Sequence, residues 1–213
     1  MQKKLLLDSL KLSNECVTSY QSLDWSSIET YAEYLAQSYY YVNHSERLLA
    51  LCIALLPNED RKLQRRFITH LSEEGAHDQL LLHDLKNLGY HISDFPELSS
   101  TKNLWETQYY KVEHIDPAIL LGYIYFLEDF ACTVVPPINQ KLTELYGKKC
   151  TTFLKLHAEE DPDHVEKARI YIESLNPHRQ EEIIKNHLQS MKTFQSMIDE
   201  IRLVTQRENK QAA

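Results

Sequence analysis

The 213-residue sequence predicts an all-α, single-domain bundle of about seven helices. Apolar residues recur at helical spacing along almost the whole chain. Only 4 glycines and 7 prolines are present, too few for the many tight turns of an all-β fold. Cap and stop signals fall between the periodic segments at helix-length intervals.

Taken in order, residues 3–21 place Leu5, Leu6, Leu10 and Leu12 among polar residues, as an amphipathic helix does. The stretch from Ser22 to Leu56 reads as one or two helices that start near a Ser/Asp cap and stop before Pro57. Asn58 is placed to cap the next helix, which has acidic residues in its first turn and ends at Gly89. Residues 90–101 read as a loop, followed by a helix to about His114. Asp116–Pro117 opens another, with proline in its first turn. It runs towards Gly147 with a kink expected at Pro136–Pro137. Residues 148–175 form a further helix, and Pro177 opens a long, polar C-terminal one. No repeat, low-complexity tract or linker interrupts residues 1–213, so one domain is expected.

Composition narrows the function. The chain is 43% hydrophobic and 25% charged, as globular proteins are. A net charge of −8 argues against nucleic acid and anionic membrane surfaces as partners. Cys16, Cys52, Cys132 and Cys150 form no CxxC pair and read as reduced, mostly structural thiols. The N-terminus lacks the long apolar region and small-residue cleavage site of a signal peptide. The longest apolar stretch, Ala118–Ile138, carries Glu128 and Asp129, which a membrane span rarely tolerates. The expectation is a soluble, cytoplasmic protein.

Three segments carry unusual polar residues. In LSEEGAHDQLLLHDL, Glu73 and Glu74 lie four and three residues before His77. Either spacing puts carboxylate and imidazole on one helix face. A Glu-x-x-His step supplies ligands in diiron carboxylate bundles, although an exposed helix face offers the same residues without a metal. In LLGYIYFLEDFACTVV the helix is apolar nearly all round, yet holds Glu128 and Asp129. A buried carboxylate without a partner costs several kcal/mol, so at least one of them needs a metal, a cation or a hydrogen-bond network. In LHAEEDPDHVEKA, His157, Asp161 and His164 fall at i, i+4 and i+7, one stripe of a continuous helix. That set suits iron, manganese or zinc; the bland reading is a polar face shared with Glu159, Glu160, Asp163 and Glu166. Together the segments offer three carboxylates and three imidazoles, a number that fits two metal ions. The absence of cysteine from the set argues against structural zinc.

HLSEEGAHDQLLLHDLKNLG, YYKVEH, LLGYIYFLE and LHAEEDPDHV, in this order and spacing, resemble the heme-oxygenase-like diiron oxidases, or iron-containing redox enzymes. The resemblance spans roughly residues 65–170 and implies a heme-oxygenase-like helical fold. It implies as metal ligands Glu74 (or Glu73), His77, Glu128, His157, Asp161 and His164. It further implies two Fe(II) ions, with Mn as the alternative metal, O2 as co-substrate, and oxidation of a small amino- or fatty-acid-like molecule. Two departures stand out. Some members place the first Glu seven residues before the His, where this chain has His70. Pro162 disfavours helix at Asp161, so the third ligand helix is expected to kink or restart there. The resemblance suggests that this helix orders with metal, and the proline then predicts weak binding at one iron position.

Leu120, Ile124 and Leu127 are the expected apolar walls. Tyr123 and Tyr125 are candidate catalytic residues, for polar contacts or radical transfer, or else simple core aromatics. His44, His91, His178 and His187 read as surface residues, while His70 can share the face of His77 and act behind the ligands. Two further enzymes and one non-enzyme compete. A true heme oxygenase needs a glycine-rich distal helix, and no two glycines here are close together. A thiaminase-II-like hydrolase would use Cys132, a turn after Glu128, and would leave His157, Asp161 and His164 idle. A non-catalytic helical binding module would let the polar residues satisfy one another. The YYYV run at 39–42 suits either core or a homodimer surface.

Overall fold

The computed structural model describes the backbone of residues 14–159 and 162–211, and their side chains except those of 159, 162–164 and 208–211. No strand occurs among the described residues. Leu5, Leu6, Leu10 and Leu12 lie outside them. Helix α1 covers residues 14–21 and is followed by α2 (Ile28–Val42) and α3 (Ser45–Leu55). Then come α4 (Arg61–Glu73), α5 (His77–Leu88), α6 (Ser99–His114), α7 (Leu120–Thr133) and α8 (Val135–Tyr146). The short α9 (Thr152–Glu159), α10 (Pro162–Glu173) and the long α11 (Pro177–Gln211) complete the bundle.

The helices outnumber the expected seven or so because several expected long ones are broken. Ser27 caps α2, its side chain accepting the Thr30 N–H. The run from Ser22 to Leu56 breaks at Asn43–His44 into α2 and α3. The run from Asn58 to Leu88 breaks at Glu74–Gly75–Ala76, where Ala76 takes a left-handed φ of 69°. Asn58 caps nothing; it opens a 3₁₀ turn, Asn58–Asp60, that feeds α4. Gly89 ends α5 at a φ of 90°, a conformation glycine adopts without a Cβ clash. Asp116 accepts the Ala118 N–H and starts the turn into α7 as expected. The kink placed at Pro136–Pro137 falls instead at Val134: the segments Pro117–Thr133 and Val135–Tyr146 meet at 57°. Both prolines then lie in the first turn of α8, where their missing N–H groups break no helical bond. Among the described residues no single helix is long and apolar enough to cross a membrane.

Helix α7 is the central element, packed against α8, α9, α10 and α11. Its crossing with α11 is a backbone-to-backbone approach. A Cβ on Gly122 would lie 2.2 Å from the Ile183 carbonyl oxygen and 2.8 Å from the His187 nitrogen. Beside it, the buried Asn186 amide donates to Gln108 Oε1 (2.8 Å) and to the Ile119 carbonyl (2.9 Å), and its oxygen accepts from Lys111 Nζ (2.6 Å). Every polar atom of that amide is engaged in holding α6 and the turn before α7 on α11. Buried Gln37 plays the same part for α2, accepting from the Leu98 N–H and the Thr101 hydroxyl while donating to Glu33 and the Pro96 carbonyl. Arg179 pairs with both Asp60 and Asp116 at 2.7 Å and fixes the start of α11.

Several side chains differ from their expected settings. Tyr41 and Val42 are core, and half-buried Tyr40 donates to the Phe95 carbonyl (2.8 Å). His44 is not a free surface residue: it stacks on Trp105 at 3.7 Å and meets the Tyr109 hydroxyl at 3.0 Å. His187 is packed against Phe126 and Tyr125 in the α7–α11 crossing. The four cysteines are free thiols; Cys16, Cys52 and Cys150 are buried and Cys132 is partly so.

Gly122→Ala should cost about 1–3 kcal/mol, since neither backbone atom can yield without separating two helices. Thermal unfolding should show a Tm lower by about 2–10 °C. Burial depresses the His187 imidazole from 6.5 to about 4, against a smaller upward pull from its hydrogen bond with the Gly122 backbone. A depressed folded value means this histidine contributes stability above pH 6.5 that is lost as pH falls towards about 4. Urea unfolding of wild type and His187→Phe between those pH values should show the steeper acid loss in wild type.

Candidate metal centre

The inner face of α4 begins as core and ends as chemistry. Leu63, Phe67, His70 and Glu74 fall at i, i+4, i+7 and i+11, one continuous stripe. Leu63 and Phe67 are fully buried, so they press the stripe inward and carry His70 and Glu74 with them. The left-handed turn at Ala76 separates α4 from α5, and Glu46 of α3 accepts the Ala76 N–H at 3.2 Å. His77 therefore opens α5 facing back at Glu74, with Nδ1 3.5 Å from Oε2. Glu73 points away, with a side chain 45% exposed against 14% for Glu74, so Glu74 is the acid that reaches the site.

Helix α9 brings the third group. Phe153 and His157 share its inner face, their rings 4.2 Å apart. His157 Nδ1 donates to the Phe153 carbonyl at 3.0 Å; a carbonyl only accepts, so Nε2 keeps its lone pair for another partner. The His77 and His157 rings are 5.0 Å apart, and ligand atoms of Glu74, His77 and His157 lie within 4.8 Å of one another. Two imidazoles and one carboxylate converging from three helical segments fit a first-row metal bound at about 2 Å from each donor.

The start of α9 is locked to α5. Buried Asp84 accepts from the Thr152 N–H (3.1 Å), the Thr152 hydroxyl (2.6 Å) and the Phe153 N–H (2.9 Å). It caps a helix to which it does not belong. Burial pushes its carboxyl up from the usual value, against the pull of these hydrogen bonds. Asn87 adds a bond to the Lys149 carbonyl (3.1 Å), and Tyr31 one to the Cys150 carbonyl (2.7 Å).

Glu128 approaches from α7, buried as the apolar helix requires. His70 stands between it and Glu74, with Nδ1 3.4 Å from Glu128 Oε1 and Nε2 3.3 Å from Glu74 Oε1. Burial pulls the His70 imidazole down, but the hydrogen bond to Glu74 and the charges of Glu128, Glu74 and Glu73 outweigh it and hold it raised. For Glu74, burial acts upward, while hydrogen bonds from His70 and His77 hold the carboxyl well below the usual range. Burial lowers His157, favouring the neutral form that a metal needs.

Of the expected ligands, Glu74, His77 and His157 come together directly, and Glu128 joins them through His70. Asp161 and the His164 side chain lie outside the described residues. Helix α9 is described as far as Glu159 and α10 from Pro162, so the i, i+4, i+7 stripe and the expected kink or restart at Asp161 fall outside the described residues. Leu120, Ile124 and Leu127 line an apolar cavity of about 80 Å³ that reaches His70, Glu74 and His157. Buried Tyr123 lines it too, whereas Tyr125 lies against His187 at 5.5 Å and does not. Nor does Cys132. The place of His70 between two acids and the capping role of Asp84 are not read from the sequence. For His70 the sequence signal is the i, i+4 step to Glu74 below the Leu63–Phe67 stripe.

Comparison with known proteins bears on the fold and the family. A domain of unknown function with a heme oxygenase-like fold from Shewanella denitrificans OS217 superposes with a TM-score of 0.80, at 18% identity over 97% of this chain and 94% of its own. A TenA homolog from Pseudomonas syringae pv. tomato gives 0.75, at 15% identity over 95% and 92%. A TenA homologue from Pyrococcus furiosus gives 0.66, at 13% identity over 91% and 99%. At these identities the likeness establishes the heme-oxygenase-like fold alone. No curated protein matches the sequence. The model of the family described as iron-containing redox enzyme matches residues 32–194, which takes in every candidate ligand. The chain belongs to that family of iron-containing redox enzymes.

Proposed function

We propose that the protein is a non-heme diiron, O2-dependent oxidase or oxygenase acting on a small organic molecule. The convergence of Glu74, His77 and His157 at the end of an apolar cavity carries this reading. These three would hold one iron. Glu128, with Asp161 and His164 as the family resemblance implies, would hold the second. When bound, ferrous ions supply the electrons that activate O2; manganese is the alternative metal.

The remaining work belongs to the chain. The Phe153 carbonyl fixes the His157 tautomer, and Asp84 fixes the helix that carries it. Leu120, Ile124 and Leu127 keep the cavity dry. Burial pushes the Tyr123 phenol well above its usual value, so it stays protonated and can donate a hydrogen bond at the cavity wall. A hydrolase using Cys132 is less well supported, because that thiol does not line the cavity.

Anaerobic Fe(II) titration of metal-free protein should reach about two irons per chain, and O2 should then raise a transient visible absorbance. His77→Ala should weaken the uptake by tenfold or more. No iron uptake by wild type would sink the oxidase reading; activity that is lost in Cys132→Ala without loss of metal would turn it to the hydrolase. Asp84→Ala should lower Tm by a few degrees through the lost cap and weaken iron binding about tenfold, although Asp84 does not touch the metal.

A further inference from the structure

A second, larger space adjoins the site. A cleft of about 620 Å³ runs between α4 and α10, with Lys62, Arg65 and Arg66 on one wall and Lys167, Ile170 and Tyr171 on the other. Its inner end is formed by His70 and Glu128. His70 and Glu128 also line the inner apolar cavity, so the two spaces meet at this pair. We propose that this cleft binds the anionic body of the substrate, a carboxylate or phosphate compound of which only a short apolar end reaches the metal centre. The proposal rests on the diiron reading for what happens at that end.

Size sets the division. The inner cavity is about 80 Å³, whereas an apolar cavity of about 150 Å³ is what holds a benzene ring. Only a few carbon atoms fit inside, and the bulk of any larger substrate has to occupy the cleft.

Charge sets the direction. The chain carries 31 acidic and 23 basic residues, yet Lys62, Arg65, Arg66 and Lys167 all line this cleft. Lys62, Arg66, Thr69, His70 and Glu73 lie on one stripe of α4 that descends from the cations to the metal site. Lys62 Nζ lies over the Tyr171 ring at 5.3 Å, which orients it across the cleft. Among the described residues no carboxylate forms an ion pair with Lys62, Arg65 or Arg66, so their charge is available to a ligand. Two guanidinium groups offer paired N–H donors that match the oxygens of a carboxylate or phosphate. At the inner end, Glu128 repels an anion. A molecule with an anionic and an apolar end therefore enters apolar end first, and the four cations that line the cleft disfavour a cationic substrate there.

The test uses butyl phosphate, butyrate and butylamine as probes, with affinity measured by calorimetry on metal-free and iron-loaded protein. Both anions should bind and butylamine should not. Affinity for the anions should fall as NaCl rises from about 50 to 300 mM. The double variant Lys62→Glu/Arg66→Glu should bind butyl phosphate at least tenfold more weakly while taking up iron as wild type does. The milder Lys62→Ala/Arg65→Ala, on the exposed side of α4, guards against misfolding and should show a smaller loss in the same direction. His77→Ala should lose iron and keep anion binding. Butylamine binding as tightly as butyrate, no binding of either anion, or unchanged affinity in both charge variants overturns the proposal. So does loss of anion binding in His77→Ala, which would put the acid on the metal. Charge-dependent anion binding in a wild-type protein that takes no iron would uphold the cleft and overturn the diiron reading.

Discussion

The carboxylate of Asp84 is the constraint on which the site depends. It spends its oxygens on two backbone N–H groups and a hydroxyl at the start of α9, binding that short helix to α5. A helix as short as Thr152–Glu159 is marginal by itself, because nucleation is costly and few intrahelical bonds repay it. The cap satisfies donors that the helix leaves orphaned and places a negative charge at the positive end of its dipole. Asp84 lies on α5 at i+7 from His77, while His157 lies one turn beyond the capped end of α9. One buried carboxylate thus sets the spacing between the His77 and His157 imidazoles. Its own burial is unfavourable, which is why three donors converge on it.

A second buried arrangement divides charge from apolar space. Glu74 and Glu128 both reach the centre of the bundle, and carboxylates so placed require positive charge between them. His70 stands between them with one ring nitrogen beside each acid, and their charges hold its imidazole raised against the effect of burial. The same residue pair, His70 and Glu128, separates the dry inner cavity from the basic cleft outside. The contact between the two acids and the boundary between the two spaces therefore involve the same few atoms. The rest of the fold serves to hold α4, α7 and α9 around them. The Gly122 crossing sets how closely α7 approaches α11, and the Asn186 amide network fixes the depth of that contact.

Much of this was legible from residue spacing. Helical periodicity, the Asp116–Pro117 start, the Gly89 stop and the Pro177 start all act within a turn or two of chain, and the structure places them as read. Breaks were harder. Nothing in Glu74-Gly75-Ala76 demands a stop, since alanine is a good helix former and an isolated glycine is tolerated inside helices. The break is enforced from outside, by Glu46 of α3 taking the Ala76 N–H. Likewise His187 reads as one more polar residue of a polar helix, and only its position opposite Gly122 buries it.

The sequence by itself determined that the chain is all helical, that its most apolar helix carries an acid, and that histidine and carboxylate recur at ligand spacing on three segments. These follow from i, i+3 and i+4 relations, which any helix imposes. Tertiary structure alone decided that Glu74 faces inward rather than Glu73, that His70 bridges two acids, and that Asp84 caps a helix far away in the chain. It also decided that the cations of α4 overlook the site. Each of these depends on which helix lies opposite, and distances between helices are not written in the spacing along any one of them.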